Sequence, residues 1–166
     1  SERRFRNMAD HAPVMIWITD EAGSCTYLNQ RWYEFTGQSE SDALGRGWLD
    51  AAHPDDREAA ATVFAEATVR QEAFSLDYRL RRRDGSYIWT VDAAAPRFDG
   101  AGRFVGFVGS VLDITERKDA EQAIAAERDQ EHEIAVRLQQ AMLPTALIRD
   151  PRLDIAATYL AGAEML

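Results

Sequence analysis

The run Asp113-Ile114-Thr115-Glu116-Arg117-Lys118 constrains this chain more than any other, because an apolar strand pattern stops there and a charged helical pattern begins. Before it, Phe104 to Leu112 is rich in aromatic and β-branched residues and reads as a buried strand. After it, neither proline nor glycine occurs until Pro144. Asp113 is placed to cap the new helix by accepting a backbone N–H, and Glu116, three residues on, completes a capping-box pattern. One folded unit must therefore close at this point, and a long helix must leave it.

Composition sets the size of that unit. The 166 residues, 46% of them apolar, suit one globular domain plus an extension, since domains commonly run to about 100–150 residues. Nineteen basic against 28 acidic side chains leave a formal charge of -9, which repels phosphate backbones and anionic membrane surfaces. No nucleic-acid or membrane partner is expected. The single cysteine, Cys25, has no intrachain disulfide partner, and no leader-like or membrane-length apolar run is read, so a cytoplasmic setting is expected.

Along the chain, Phe5, Met8 and Ala12 recur at helical spacing, which predicts an amphipathic helix over residues 1–12 that stops at Pro13. Val14 to Thr19, a turn at Asp20 to Gly23, and Ser24 to Leu28 form a predicted hairpin. Asn29 is a favourable N-cap for Gln30 to Thr36, with Gly37 as the stop, and Ser39 and Asp42 make a second capping pair for a turn ending near Leu44. Pro54, Asp55 and Asp56 suit the start of a helix, and Ala60, Val63, Phe64 and Ala67 follow as one inward stripe until about Gln71. Three strands complete the order: Phe74 to Arg81, Tyr87 to Ala95 after the Asp84-Gly85 turn, and the strand ending at Leu112. Grouped helices between strands imply an α+β fold, an antiparallel five-stranded sheet with helices over one face. Tyr87, Trp89 and Val91 lie on one face of their strand while Ile88 opposes them, and Phe104 and Val108 oppose Val105, Phe107 and Val111. Both sheet faces are thus apolar, and the second is expected to meet the N-terminal helix or another subunit.

Over residues 5–118 the chain resembles the PAS sensor domains. The resemblance rests on the Asn29 helix start, on His53-Pro54-Asp55-Asp56-Arg57, on Arg81-Arg82-Arg83-Asp84-Gly85-Ser86-Tyr87-Ile88-Trp89, and on Asp113-Ile114-Thr115-Glu116-Arg117-Lys118. It implies a sensor domain over residues 13–114, helices over a central pocket, and signalling into the C-terminal helix through Asp113, Thr115 and Glu116.

The polar candidates point away from catalysis. His53 precedes a helix-starting proline, which predicts a local capping or packing role rather than haem ligation, and His11 sits just before Pro13. Cys25 lacks the Asn-Cys-Arg-Phe-Leu setting of flavin-binding relatives. No metal spacing, phosphate-cradling loop or nucleophile elbow is read, so no enzymatic activity is expected of these residues themselves. The resemblance directs Ile16, Ile18, Tyr27, Trp32, Phe35, Leu44, Trp48, Leu49, Val63, Phe64, Leu76 and Tyr78 toward a ligand-binding interior. That set offers no buried charge, which predicts a largely apolar ligand such as a fatty acid, ahead of haem or flavin; no cofactor is assigned.

Beyond the junction, residues 115–143 read as one linker helix, with Ile124, Ile134 or Ala135, Leu138 and Met142 near a weak dimer seam. His132-Glu133-Ile134 lacks the continuation of a kinase phosphoacceptor helix. Arg137 to Pro144 and Leu153 to Ala163 instead resemble the opening of bacterial PP2C-type serine phosphatases, which act on anti-anti-sigma proteins in sigma-factor and stress-response pathways. Residues 144–166 are then the start of that domain, with an early strand near residues 152–160. The sequence thus predicts a dimerising, ligand-responsive input domain joined to a phosphatase, with anti-sigma or anti-anti-sigma proteins as partners. The alternatives are the input domain of a histidine kinase or cyclase, and a structural dimerisation module with no ligand.

Overall fold

The structure, a computed structural model, describes residues 1–147. It forms two compact units, Ser1–Lys118 and a second that begins at Asp119. In the first, α1 (Glu2–Asp10) precedes the hairpin β1 (Met15–Thr19) and β2 (Cys25–Leu28). Helices α2 (Gln30–Thr36) and α3 (Glu40–Ala43), a 3-10 turn (Gly47–Ala51) and α4 (Pro54–Arg70) follow, then β3 (Phe74–Arg81), β4 (Tyr87–Phe98) and β5 (Phe104–Asp113). The strands form one antiparallel sheet of order β2-β1-β5-β4-β3, so the last strand lies in the middle and its end leads directly into α5 (Thr115–Leu147). This is the α+β architecture that the element order implies.

Register decides which residues share a face. Met15, Val111, Asp92 and Leu76 form one row across the sheet, and Trp17, Gly109, Ala94 and Phe74 form the next. These rows face the helices: Trp32 of α2, Ala43 of α3, Ala51 of the 3-10 turn and Ala67 of α4 join Met15, Trp17, Phe107 and Val111 in one core. The alternate rows, Ile16-Ser110-Ala93-Ser75 and Ile18-Val108-Ala95, point away from it. A side chain at position 109 would overlap the Trp17 indole, so glycine there lets the ring lie across β5 toward β4. At Gly106 the backbone has φ 123°, and a Cβ would strike the Thr19 carbonyl. The kink brings the Phe104 ring to 5.3 Å from Phe107, against the core, so Phe104 does not share a face with Val108 as strict alternation predicts.

Several ends differ from the sequence reading. Helix α1 stops at Asp10 and buries Ala9, while Met8 is 74% exposed and Phe5 meets the Tyr27 ring edge-on at 6.1 Å. Asn29 stands at the N-cap of α2, but its side chain makes no cap bond. It is buried instead: Oδ1 accepts from Ile16 N–H at 2.9 Å, and Nδ2 donates to the Ala9 and Val14 carbonyls at 2.7 and 2.8 Å. The cap is supplied by Asp10, whose Oδ1 accepts from the Gln30 N–H and from the Tyr27 hydroxyl, both at 2.9 Å. The Ser39–Asp42 capping box forms as read. Strand β4 runs three residues beyond Ala95, with a bulge between Arg97 and Phe98. Helix α5 continues through Pro144 to Leu147, past the expected end near Met142, although the proline has no N–H to give the helix ladder. The predicted strand near residues 152–160 and most of the phosphatase-like segment lie outside the described residues.

Candidate functional site

Between the sheet and its helical cover lies a cavity of ≈ 20 Å³, room for about one water. The sheet contributes Trp17 and Thr19 from β1, Cys25 and Leu28 from β2, Phe74, Leu76 and Tyr78 from β3, and Asp92 from β4. Trp32 of α2, Trp48 of the 3-10 turn, and Ala60 and Phe64 of α4 close it. The rings brace one another: Phe64 sits edge-on to Trp17 at 6.0 Å, to Trp48 at 5.8 Å and to Phe74 at 5.9 Å. Trp32 is fixed from outside, since its indole N–H donates to Gln38 Oε1 at 3.0 Å.

The chemistry of the wall centres on Asp92, which is only 6% exposed. Its Oδ1 accepts from the Trp17 indole N–H at 2.8 Å, and its Oδ2 accepts a longer bond from the Tyr78 hydroxyl at 3.4 Å. Burial pushes its carboxyl up to about 7, against the two hydrogen bonds that favour the anion. Burial also raises the Tyr78 hydroxyl, with the Asp92 charge adding to it. Thr90 and Thr19, both buried, satisfy their hydroxyls on the backbone: Thr90 Oγ1 donates to the Tyr78 carbonyl at 2.8 Å, and Thr19 Oγ1 accepts from Phe107 N–H at 2.9 Å. The Cys25 thiol, buried and 3.5 Å from the Tyr27 carbonyl, is pushed up to about 11 by burial, which leaves it a poor thiolate. As formed, the cavity holds neither the three fused rings of a flavin nor an acyl chain.

Of the residues directed toward a ligand, the cavity brings together Trp32, Trp48, Phe64, Leu76 and Tyr78. Phe35 and Leu44 pack half-buried against the core without lining it, and Leu49 and Val63 are half-buried outside the lining. Ile16 and Ile18 point to the other sheet face, where Ile18 and Tyr27 line a surface groove with Phe5 and Val108. The expectation of a wall without charge is corrected by Asp92. The sequence reading also missed Trp17, because alternation fixes which residues share a face but not which face is inside. His53 has its expected role, its Nδ1 accepting from Asp55 N–H at 3.2 Å at the start of α4.

The junction forms a second polar cluster. Asp113 Oδ1 accepts from Thr115 N–H at 2.9 Å and from Thr115 Oγ1 at 2.6 Å, so its bonds run to Thr115 rather than to Glu116 as a capping box would place them. Ile114 N–H donates to the Trp89 carbonyl of β4 at 2.9 Å. Asp77 of β3 receives Arg117 Nη2 at 2.7 Å and Lys118 Nζ at 3.1 Å, and Lys118 lies 4.8 Å over the Trp89 ring. Burial raises the Asp77 carboxyl, but the bonds from Lys118 and Arg117 outweigh it and hold the group below the ordinary carboxylate range. The first turn of α5 is thus tied to two strands.

A family model described as the PAS fold matches residues 26–111, more than half of the chain, and the chain belongs to that family. It is 49% identical over 135 residues to an uncharacterized protein of Sinorhizobium fredii, covering 81% of this chain and 16% of that one. Sporulation kinase C of Bacillus subtilis is 27% identical over 124 residues, 75% of this chain and 28% of the kinase. The chain therefore spans less than a third of the length of these curated relatives. Among solved structures, an RNA-binding light-oxygen-voltage receptor aligns with a TM-score of 0.64 at 26% identity, over 81% of this chain and 39% of that one. A PAS sensory domain is what fold, family and relatives have in common. Among the described residues no helix is long and apolar enough to cross a membrane, and no cluster of three or more His, Cys, Asp or Glu could hold a metal.

Proposed function

We propose that this chain is the ligand-sensing, dimerising input module of a larger signalling protein, and that it relays occupancy of the cavity into α5. One observation carries the reading: Asp92, in the cavity wall, pairs across the sheet with Val111, and Thr90 with Asp113, so cavity and junction share the same two strands. A shift of Trp17 or Asp92 on ligand binding moves β4 against β5 at Val111, four residues before the helix begins. Exposed Ile124, Ile134, Leu138 and Met142 on α5, and the apolar outer sheet face, support a homodimer. The output domain we favour is a PP2C-type serine phosphatase of a sigma-factor pathway, supported by the phosphatase-like residues 137–163. A kinase output is a second reading, supported by the similarity to sporulation kinase C.

The full-length protein separates these. Dephosphorylation of a phosphorylated anti-anti-sigma protein supports the first output, and autophosphorylation from labelled ATP supports the second. Replacing Asp113 with Ala removes the bonds to Thr115 and should change output activity while leaving ligand affinity at the cavity intact. Unchanged output from that variant would reduce the junction to a helix start and sink the relay.

A further inference from the structure

The cavity combines an interior carboxylate with rings on nearly every side. No Lys, Arg or His stands among the lining residues, so no side-chain cation in the wall balances Asp92. Its two oxygens are instead held as acceptors by the neutral donors of Trp17 and Tyr78, at 2.8 and 3.4 Å. Burying an ionised carboxylate is costly unless a positive charge comes to it. The surrounding π-faces carry negative potential and attract cations in the same way. An anion is repelled by this wall, and a neutral apolar molecule leaves Asp92 unused.

We propose that the cavity beneath α4 binds a small organic cation, an alkylammonium, with its charged head on the Asp92 carboxylate and its alkyl part among the Trp17, Trp48 and Phe64 rings. The proposal rests on the sensory reading and names its ligand class. As formed, the volume of ≈ 20 Å³ takes one water-sized group. Larger cations are admitted by turning Trp48 and Phe64, two half-buried rings that also line a surface cleft with Gly23, Arg46 and Thr68. Both rings line cavity and cleft alike and belong to the helical cover, so turning them leaves the strand pairing of the sheet intact. Arg46 lines the cleft and not the cavity, so positive charge is favoured only once it is inside.

The test titrates tert-butylammonium chloride into the protein beside tert-butanol, its neutral counterpart of similar shape, at ionic strength held constant with potassium chloride. Methylammonium chloride serves as the smaller probe. Indole fluorescence reports binding, because Trp17, Trp32 and Trp48 all line the cavity, and the Asp92 amide resonance locates it. The cations should bind at least about tenfold more tightly than the alcohol, and Asp92→Asn should remove that preference. If Asp92→Asn fails to fold, the comparison of cation with alcohol on the unaltered protein still decides. Equal binding of cation and alcohol, binding by neither cation, or undiminished cation binding to Asp92→Asn overturns the proposal. Failure here leaves the sensory reading to the separate Asp113→Ala experiment, so the two are distinguishable.

Discussion

Asp92 is the residue whose environment most departs from water, and its charge state makes stability depend on pH. Its folded carboxyl titrates at about 7 against an ordinary 3.8, so the folded chain holds a proton that the unfolded chain has already released between those values. Its contribution is therefore full at low pH, declines as pH rises toward 7, and changes no further above that. The upper bound is on the order of 4 kcal/mol for a shift of this size. Other titratable groups in the cavity wall are Tyr78 from β3 and Cys25 from β2, both raised by burial and so neutral throughout this window. The facing helices and β1 contribute only aromatic rings, Ala60 and Thr19. Urea unfolding at pH 5 and pH 8 should show a larger loss of stability in the native chain than in Asp92→Asn; equal losses would show that Asp92 does not titrate there. None of this was legible in the sequence, where Thr90 and Asp92 share with Ile88 the face opposite Tyr87, Trp89 and Val91 and nothing marks either face as the inner one. The burial of Asp92 depends on Trp17 reaching across Gly109, a pairing between residues distant in the chain. Asn29 shows the same limit, since a residue suited to a local cap is spent on contacts to α1 and β1.

Elements were more legible than residues because their signals are local. The Ser39–Asp42 capping box, Pro54 at the first helical position and the alternation of Phe74 to Arg81 each mark an element that formed as read. The link between α5 and the sheet was not local: Asp77 on β3 holds Arg117 and Lys118 forty and forty-one positions along. Because the Asp77 carboxyl is held below its ordinary range, this link is fully present above that range and lost as pH falls below it, through the lowered folded value. Asp77 and Arg117 are partly exposed, so solvent screening limits the contribution to about 1 kcal/mol. Asp77→Asn should therefore lower global stability little, yet raise amide exchange at Thr115 to Lys118 well above that of β4. Protection unchanged at those amides would assign the ordering of the first turn to bonds other than those of Asp77, among them Asp113–Thr115 and Ile114–Trp89.

At the scale of the whole molecule, the apolar character of both sheet faces was legible: α2 to α4 take one, and α1 meets the other only toward its β2 edge, through Phe5 against Tyr27. Leu112 is 44% exposed on the other face, and Ala93 and Ala95 are exposed beside half-buried Val108 and Val91. These small and β-branched side chains make a flat surface suited to a second copy, and a charge placed there costs the monomer almost nothing because the position already meets water. Ala93 is the position of choice, on β4 between Ser110 and Ser75, away from cavity and junction. In Ala93→Glu a dimer through this face would bury a carboxylate beside its symmetry mate, and with a formal charge of -9 already on each chain the repulsion adds to desolvation. Light scattering after size exclusion should then show the mass fall from about twice 18.7 kDa toward the single chain, with an unchanged melting temperature at low concentration. A dimer that survives Ala93→Glu but separates on Leu138→Glu would move the interface to α5, where Leu138 is 58% exposed. A mass of one chain before any substitution would remove dimerisation from the proposed function and leave the relay to act within a single chain.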